Sequence, residues 1–268
     1  MSSLLRNHVR TYGRGSRALM FAHGFGCDQT MWRHVAPSFE DDFQIVLFDL
    51  VGSGRSDLVA YDFRKYGSLE GYARDVLEIL SDLELSHVTF VGHSVSSMIG
   101  VLAANLQPSR FDRLVLVGPS PRYLDDEKDG YRGGFQPEAI EQLVSSLDSN
   151  YLGWSQSIAP AIMGNADRPE LGQELVNSFC RTDPEIAKHF ARVTFFSDNR
   201  PDLPKVVTPT LILQCADDII APEHVGRYVH QAIAGSTFVL MRATGHCPNL
   251  SAPDETTAAI SAYVMHEC

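Results

Sequence analysis

Val88-Thr89-Phe90-Val91-Gly92-His93-Ser94-Val95-Ser96 decides the fold of this chain of 268 residues. Its first half is apolar and β-branched, as a short buried strand requires. After Ser94, the residues Met98, Ile99, Val101, Leu102, Ala103 and Leu106 recur at helical spacing, and the pattern stops before Pro108. A strand that reverses so sharply into a helix needs small flanking residues, and it leaves the serine exposed over a helix N-terminus. The free N–H groups and dipole there favour the negative charge that develops in acyl transfer. This is the setting of a nucleophile elbow, G-x-S-x-G. The chain reads Gly92-His93-Ser94-Val95-Ser96, with a serine in place of the last glycine. An ordinary strand-to-helix turn with a serine N-cap would share the local pattern, so the surrounding sequence has to decide.

Upstream, Val9 and Tyr12 belong to an opening strand, and Ala18–Ala22 is a short apolar run ending in the glycine-rich His23-Gly24-Phe25-Gly26. Trp32 and Val35 start a helical pattern, Gln44–Asp49 reads as a strand, and Gly52–Asp57 as a loop. Leu69, Tyr72, Ala73, Val76, Leu77, Leu80 and Leu83 form an amphipathic helix with Ser68 as its N-cap. Downstream, Arg113–Gly118 is a further strand. Apolar strands alternating with helices predict an α/β fold with a mostly parallel sheet covered on both faces. From about 120 to 205 no strand pattern is visible, and helices are expected at about 137–148, 151–163, 169–180 and 184–196. This block reads as a helical cap inserted into a core of residues 1–119 and 206–268. Strands at Thr210–Gln214 and Thr237–Met241, with helices at 223–233 and 254–265, complete the core.

The composition, 44% hydrophobic and 21% charged, is that of a globular protein. A net charge of −11 argues against nucleic acid and anionic membranes as partners, and no apolar stretch is long enough to span a membrane. Met1–His8 lacks the apolar segment of a signal peptide. The five cysteines, Cys27, Cys180, Cys215, Cys247 and Cys268, are scattered without a C-x-x-C pair. They suggest reduced thiols and a cytoplasmic setting. The histidines show no H-E-x-x-H spacing, and Gly52-x-Gly54 lacks the third glycine of a dinucleotide fingerprint. Neither a metal nor a cofactor is expected, and a monomer is the default.

A serine hydroxyl needs a base, and the base needs an orienting group. In open parallel sheets these lie beyond the carboxyl ends of strands. Two strands end suitably, one in Cys215-Ala216-Asp217-Asp218 and one in Arg242-Ala243-Thr244-Gly245-His246. The order Ser94, aspartate, His246 is that of an α/β-hydrolase. Asp218, four residues before Pro222, is the preferred acid, which leaves Asp217 as a solvated or helix-capping carboxylate. The backbone N–H groups of Val95 and Phe25 are the expected oxyanion donors.

Assembled, these stretches resemble one branch of the α/β-hydrolases, the RsbQ-type bacterial stress regulators, and more distantly the plant karrikin and strigolactone receptors. The likeness rests on His23–Gln29, Phe48–Gly54, Gly92–Ser96, Gly118–Pro121, Leu213–Pro222 and Gly245–Pro248. RsbQ has glycine where this chain has Ser96, whereas the plant receptors have serine. The resemblance implies a V-shaped four-helix cap over a small apolar pocket lined by Phe25, Phe135, Trp154, Ile158 and Phe195. It implies a small hydrophobic ester or lactone as ligand. It also allows a signalling role in which hydrolysis or binding alters contacts with a partner, such as a PAS-domain phosphatase.

Overall fold

The computed structural model describes residues 2–265; Met1 and Cys268, which entered the sequence reading, lie outside them. In chain order the elements are α1 (Ser3–Arg6), β1 (Arg10–Tyr12), β2 (Arg17–Ala22), β3 (Phe43–Leu47), α2 (Leu69–Asp82), β4 (Val88–His93), α3 (Val95–Leu106) and β5 (Phe111–Val117). Four helices follow: α4 (Pro137–Ser149), α5 (Tyr151–Met163), α6 (Pro169–Phe179) and α7 (Pro184–Phe195). The chain closes with β6 (Thr210–Asp217), α8 (Glu223–Ala232), β7 (Thr237–Thr244), α9 (Pro248–Ser251) and α10 (Pro253–Val264).

The strands form one seven-stranded sheet in the order β1-β3-β2-β4-β5-β6-β7, parallel except for β1. The continuous apolar runs follow from burial on both faces. Leu19 and Phe21 of β2 point into a core shared with α10 and the inserted helices. Met20 and Ala22 point into one shared with α2, α3 and α8. Register sets the functional edge. Ala22 lies opposite Gly92, His93 opposite Val117, and Val117 opposite Leu213. The loops after β2, β4, β5 and β6 therefore leave the sheet side by side.

Three local expectations change. The pattern from Trp32 and Val35 does not give an α-helix but two short 3₁₀ turns, Gln29–Trp32 and Ala36–Phe39. Pro37 has no N–H to continue a helix through this segment. Ser68 takes the N-cap position of α2 in an extended conformation, but its hydroxyl makes no capping bond. The segment before α4 contains two isolated strand-type bridges, Leu124 with Phe135 and Asp126 with Tyr131. Too short to show periodicity, these have no sequence signature.

Candidate active site

The elbow is strained. Ser94 has φ 56° and ψ −124°, a conformation costly for any residue with a Cβ. It is held by its own N–H, which donates to Val117 O at 2.8 Å, and by its carbonyl, which accepts from Ser97 N at 2.9 Å. The helix crosses tightly over the strand: a Cβ on Gly92 would lie 2.4 Å from Ser96 O. Gly24 makes an equally close approach, since a Cβ there would meet His93 Nδ1 at 2.6 Å and Ser94 Cβ at 3.2 Å. Glycine is what lets the loop after β2 lie against the serine.

Ser94, His246 and Asp218, each buried, meet at the carboxyl edge of the sheet. His246 Nε2 lies 2.7 Å from Ser94 Oγ, and His246 Nδ1 lies 2.7 Å from Asp218 Oδ2. As a carboxylate Asp218 only accepts, so the imidazole carries its proton on Nδ1 and offers Nε2 to the serine hydroxyl. Asp218 is itself fixed, because its Oδ1 accepts from Ile220 N at 2.8 Å and Ala221 N at 3.0 Å. Asp217 stands apart as the exposed last residue of β6, where its carbonyl accepts from Gly245 N at 2.8 Å.

The backbone of His246 is gripped from two sides. Its N–H donates to Ile162 O of α5 at 2.9 Å, and its carbonyl accepts from His93 Nε2 at 2.7 Å. Burial, reinforced by the neighbouring His246, pushes the His93 pKa down to about 3. His93 is therefore a neutral donor that ties the elbow strand to the histidine loop.

The loop after β2 is similarly braced. His23 Nε2 accepts from Leu50 N at 3.0 Å, and Asp49 accepts from Gln29 N and Arg55 N, each at 2.8 Å. Among the described residues, Phe25 N–H has no protein acceptor. Val95 N–H, in the first position of α3, has no intrahelical acceptor either. The Phe25 ring touches the rings of Trp154, Phe179, Phe190 and Phe195, with centroids 5.6–6.3 Å apart.

Beside Ser94 lies a narrow, largely apolar cavity. The volume open to the centre of a water-sized sphere is about 30 Å³, room for roughly two waters at about 10–15 Å³ each. Of the residues expected to form the pocket, Phe25 and Phe195 border this cavity, and Phe135, Trp154 and Ile158 are placed away from it. Trp154 stands one layer back, stacked on Phe179 at 5.7 Å, and with Ile158 it faces an outer groove between α4 and α5. Ile162, one turn beyond Ile158 on the same face of α5, meets the cavity instead, so the shift is one of position along the helix axis. Phe135 is occupied in the backbone pairing with Leu124.

Sequence reasoning missed Tyr123, Ile162, Leu175, Phe179, Thr194, Ile220 and the thiols Cys27 and Cys247 as lining residues. Leu175 and Phe179 recur at helical spacing and were legible as an apolar face. Tyr123 sits in irregular chain with no such signal. Burial pushes its pKa up to about 12, an effect that the nearby Ser94 opposes. Cys27 and Cys247 are buried, which raises both thiols. They are inert neighbours of the site. Among the described residues no cluster of His, Cys, Asp or Glu could hold a metal ion, and no helix is long and apolar enough to cross a membrane.

The model of the alpha/beta hydrolase family matches residues 19–260. Karrikin insensitive 2 receptor CA of Petunia hybrida is 38% identical over 262 residues, covering 97% of this chain and 96% of that protein. Strigolactone esterase D14 of Arabidopsis thaliana is 39% identical over 247 residues, covering 92% and 91%. The structure of a hydrolase from Oleispira antarctica superposes with a TM-score of 0.95 at 42% identity, covering 99% of this chain and 97% of that one. The chain belongs to the alpha/beta hydrolase family and is an enzyme of the hydrolase class.

Proposed function

We propose that the protein is a serine hydrolase that cleaves a small hydrophobic ester or lactone, with Ser94 as nucleophile, His246 as base and Asp218 as orienting acid. The observation that carries this is the unbroken Ser94–His246–Asp218 hydrogen-bond chain, 2.7 Å at each link. Ser94 Oγ attacks the carbonyl carbon while its proton passes to His246 Nε2, and Asp218 stabilises the imidazolium. The carbonyl oxygen becomes an oxyanion facing the N–H groups of Phe25 and Val95. Collapse expels the alcohol, which takes the proton from Nε2. Water then attacks the acyl-enzyme by the same route in reverse. Residues 120–205 act as the cap over the core of residues 1–119 and 206–268.

The decisive experiment is the time course of p-nitrophenol release from p-nitrophenyl acetate, with Ser94→Ala as control. Sustained turnover in wild type alone supports a working esterase. Release no faster than in Ser94→Ala refutes the mechanism.

A second reading is a receptor-like protein with little turnover, as in the RsbQ-type proteins, signalling through a partner such as a PAS-domain phosphatase. The narrow cavity favours it, since a ligand that fits must displace the wall. So do relatives named as receptors. A burst that stalls with an acetyl adduct on Ser94 supports this reading, and steady turnover counts against it.

A further inference from the structure

Many helical hydroxyls in this chain find a carbonyl, some far along the chain, as those of Ser96 and Ser178 do, and others four residues back. Ser149 donates to Ser145 O, Ser155 to Tyr151 O and Thr256 to Ala252 O, at 2.8–2.9 Å. That bond is the usual refuge of a hydroxyl in a helix. Thr194, near the end of α7, departs from it. Thr194 is 1% exposed, yet Oγ1 has no hydrogen-bond partner among the described residues. A buried hydroxyl left unpaired costs free energy that a valine in its place would not.

Thr194 also borders the cavity beside Ser94. Among the described residues, two buried polar atoms without a partner belong to cavity-lining residues: His93 Nδ1 and Thr194 Oγ1. His93 Nδ1 is pressed against the Gly24 backbone, where even a Cβ would come within 2.6 Å, so no ligand atom fits there. Tyr123 OH is not among these buried unpartnered atoms. The cavity wall that Thr194 shares is largely apolar, with Phe25, Phe179 and Phe195 among its members.

We propose that Thr194 is a specificity-determining residue, its hydroxyl donating to a second oxygen of the ligand, an ether or carbonyl remote from the reacting ester. The ligand class is then a small, mostly apolar ester or lactone with one further oxygen acceptor. An ether or carbonyl suits this cavity better than a hydroxyl, because burying it orphans no donor proton. The proposal rests on the hydrolase reading for its choice of probes, not for its readout.

The test uses two esters of equal length, phenyl 3-methoxypropanoate and phenyl pentanoate, which differ by oxygen for methylene. Binding is measured by calorimetry in the Ser94→Ala background, where no turnover intervenes. With Thr194 intact, the methoxy ester should bind the tighter of the two. Thr194→Val should reduce that preference about tenfold, the size of one hydrogen bond to a buried donor, and Thr194→Ser should restore it. An unchanged preference in Thr194→Val, or no binding of the methoxy ester with Thr194 intact, overturns the proposal. If the preference responds to Thr194 while the chain with Ser94 intact cleaves neither ester, this inference stands and the hydrolase reading falls.

Discussion

The hydroxyl of Ser96 donates to the carbonyl of His23 across 2.5 Å, tying the first turn of α3 to the loop that carries Phe25. The serine that departs from the usual elbow glycine therefore has a structural task. It locks together the two segments whose N–H groups are the proposed oxyanion donors. Ser96→Ala leaves a buried carbonyl without this donor and should cost about 1–2 kcal/mol in urea unfolding. It should also lower kcat/KM for p-nitrophenyl acetate while fluorophosphonate labelling of Ser94 persists. A variant as stable and active as wild type would show the contact to be idle.

The two neighbouring aspartates should separate cleanly. Asp218→Asn leaves His246 in the wrong tautomer and, by analogy with other triads, should cut kcat by about 10⁴-fold. Asp217→Asn should leave kcat within about twofold, since that side chain is exposed. The reverse outcome, measured as initial rates on the same ester, would reassign the acid.

Gly24→Ala places a Cβ against His93 and Ser94, where neither the ring nor the elbow can yield. The expected result is a loss of kcat/KM of at least about 10², reflecting a displacement of the order of 1 Å at the site. Unimpaired turnover in this variant would mean that the loop can retreat.

His93 gives a pH signature. Its folded pKa is near 3 against an ordinary 6.5. Between those values the unfolded chain binds a proton that the folded chain refuses. Stability from this residue is complete above about pH 6.5 and falls as the pH drops toward 3, by up to about 1.4 kcal/mol per unit. His93→Gln retains a side-chain donor for His246 O and cannot titrate. Its urea midpoint should fall less steeply than that of wild type between pH 6.5 and 5, and parallel curves would disprove the assignment.

The fold was legible because the inner strands of the parallel sheet are buried on both faces along most of their length and read as apolar runs, and even the half-exposed edge strand β7 keeps the apolar stretch Phe238–Met241. Ser94, Asp218 and His246 were legible because each follows such a run, and register brings strand ends together. The cavity wall was less so. Trp154 and Ile158 lie on the right helix and on the same face as Ile162, but about two turns and one turn short of it along the axis, a distance that only the packing of α5 fixes. Thr194 carried no signal at all. A threonine beside Phe195 looks ordinary until its hydroxyl is seen to have no partner. The finer likeness to RsbQ-type regulators rests on shared motifs alone, and a site common to esterases and receptors cannot choose between them.

The ring of Phe25 touches rings from α5, α6 and α7, while its backbone borders Ser94. Whatever occupies so narrow a space must push on that aromatic cluster and, through it, on three helices. Occupancy and helix position are thus linked quantities, and linkage runs both ways. A molecule that grips the outer surface of those helices and favours one position over another must change affinity at Ser94 by the same factor that a ligand at Ser94 changes the grip.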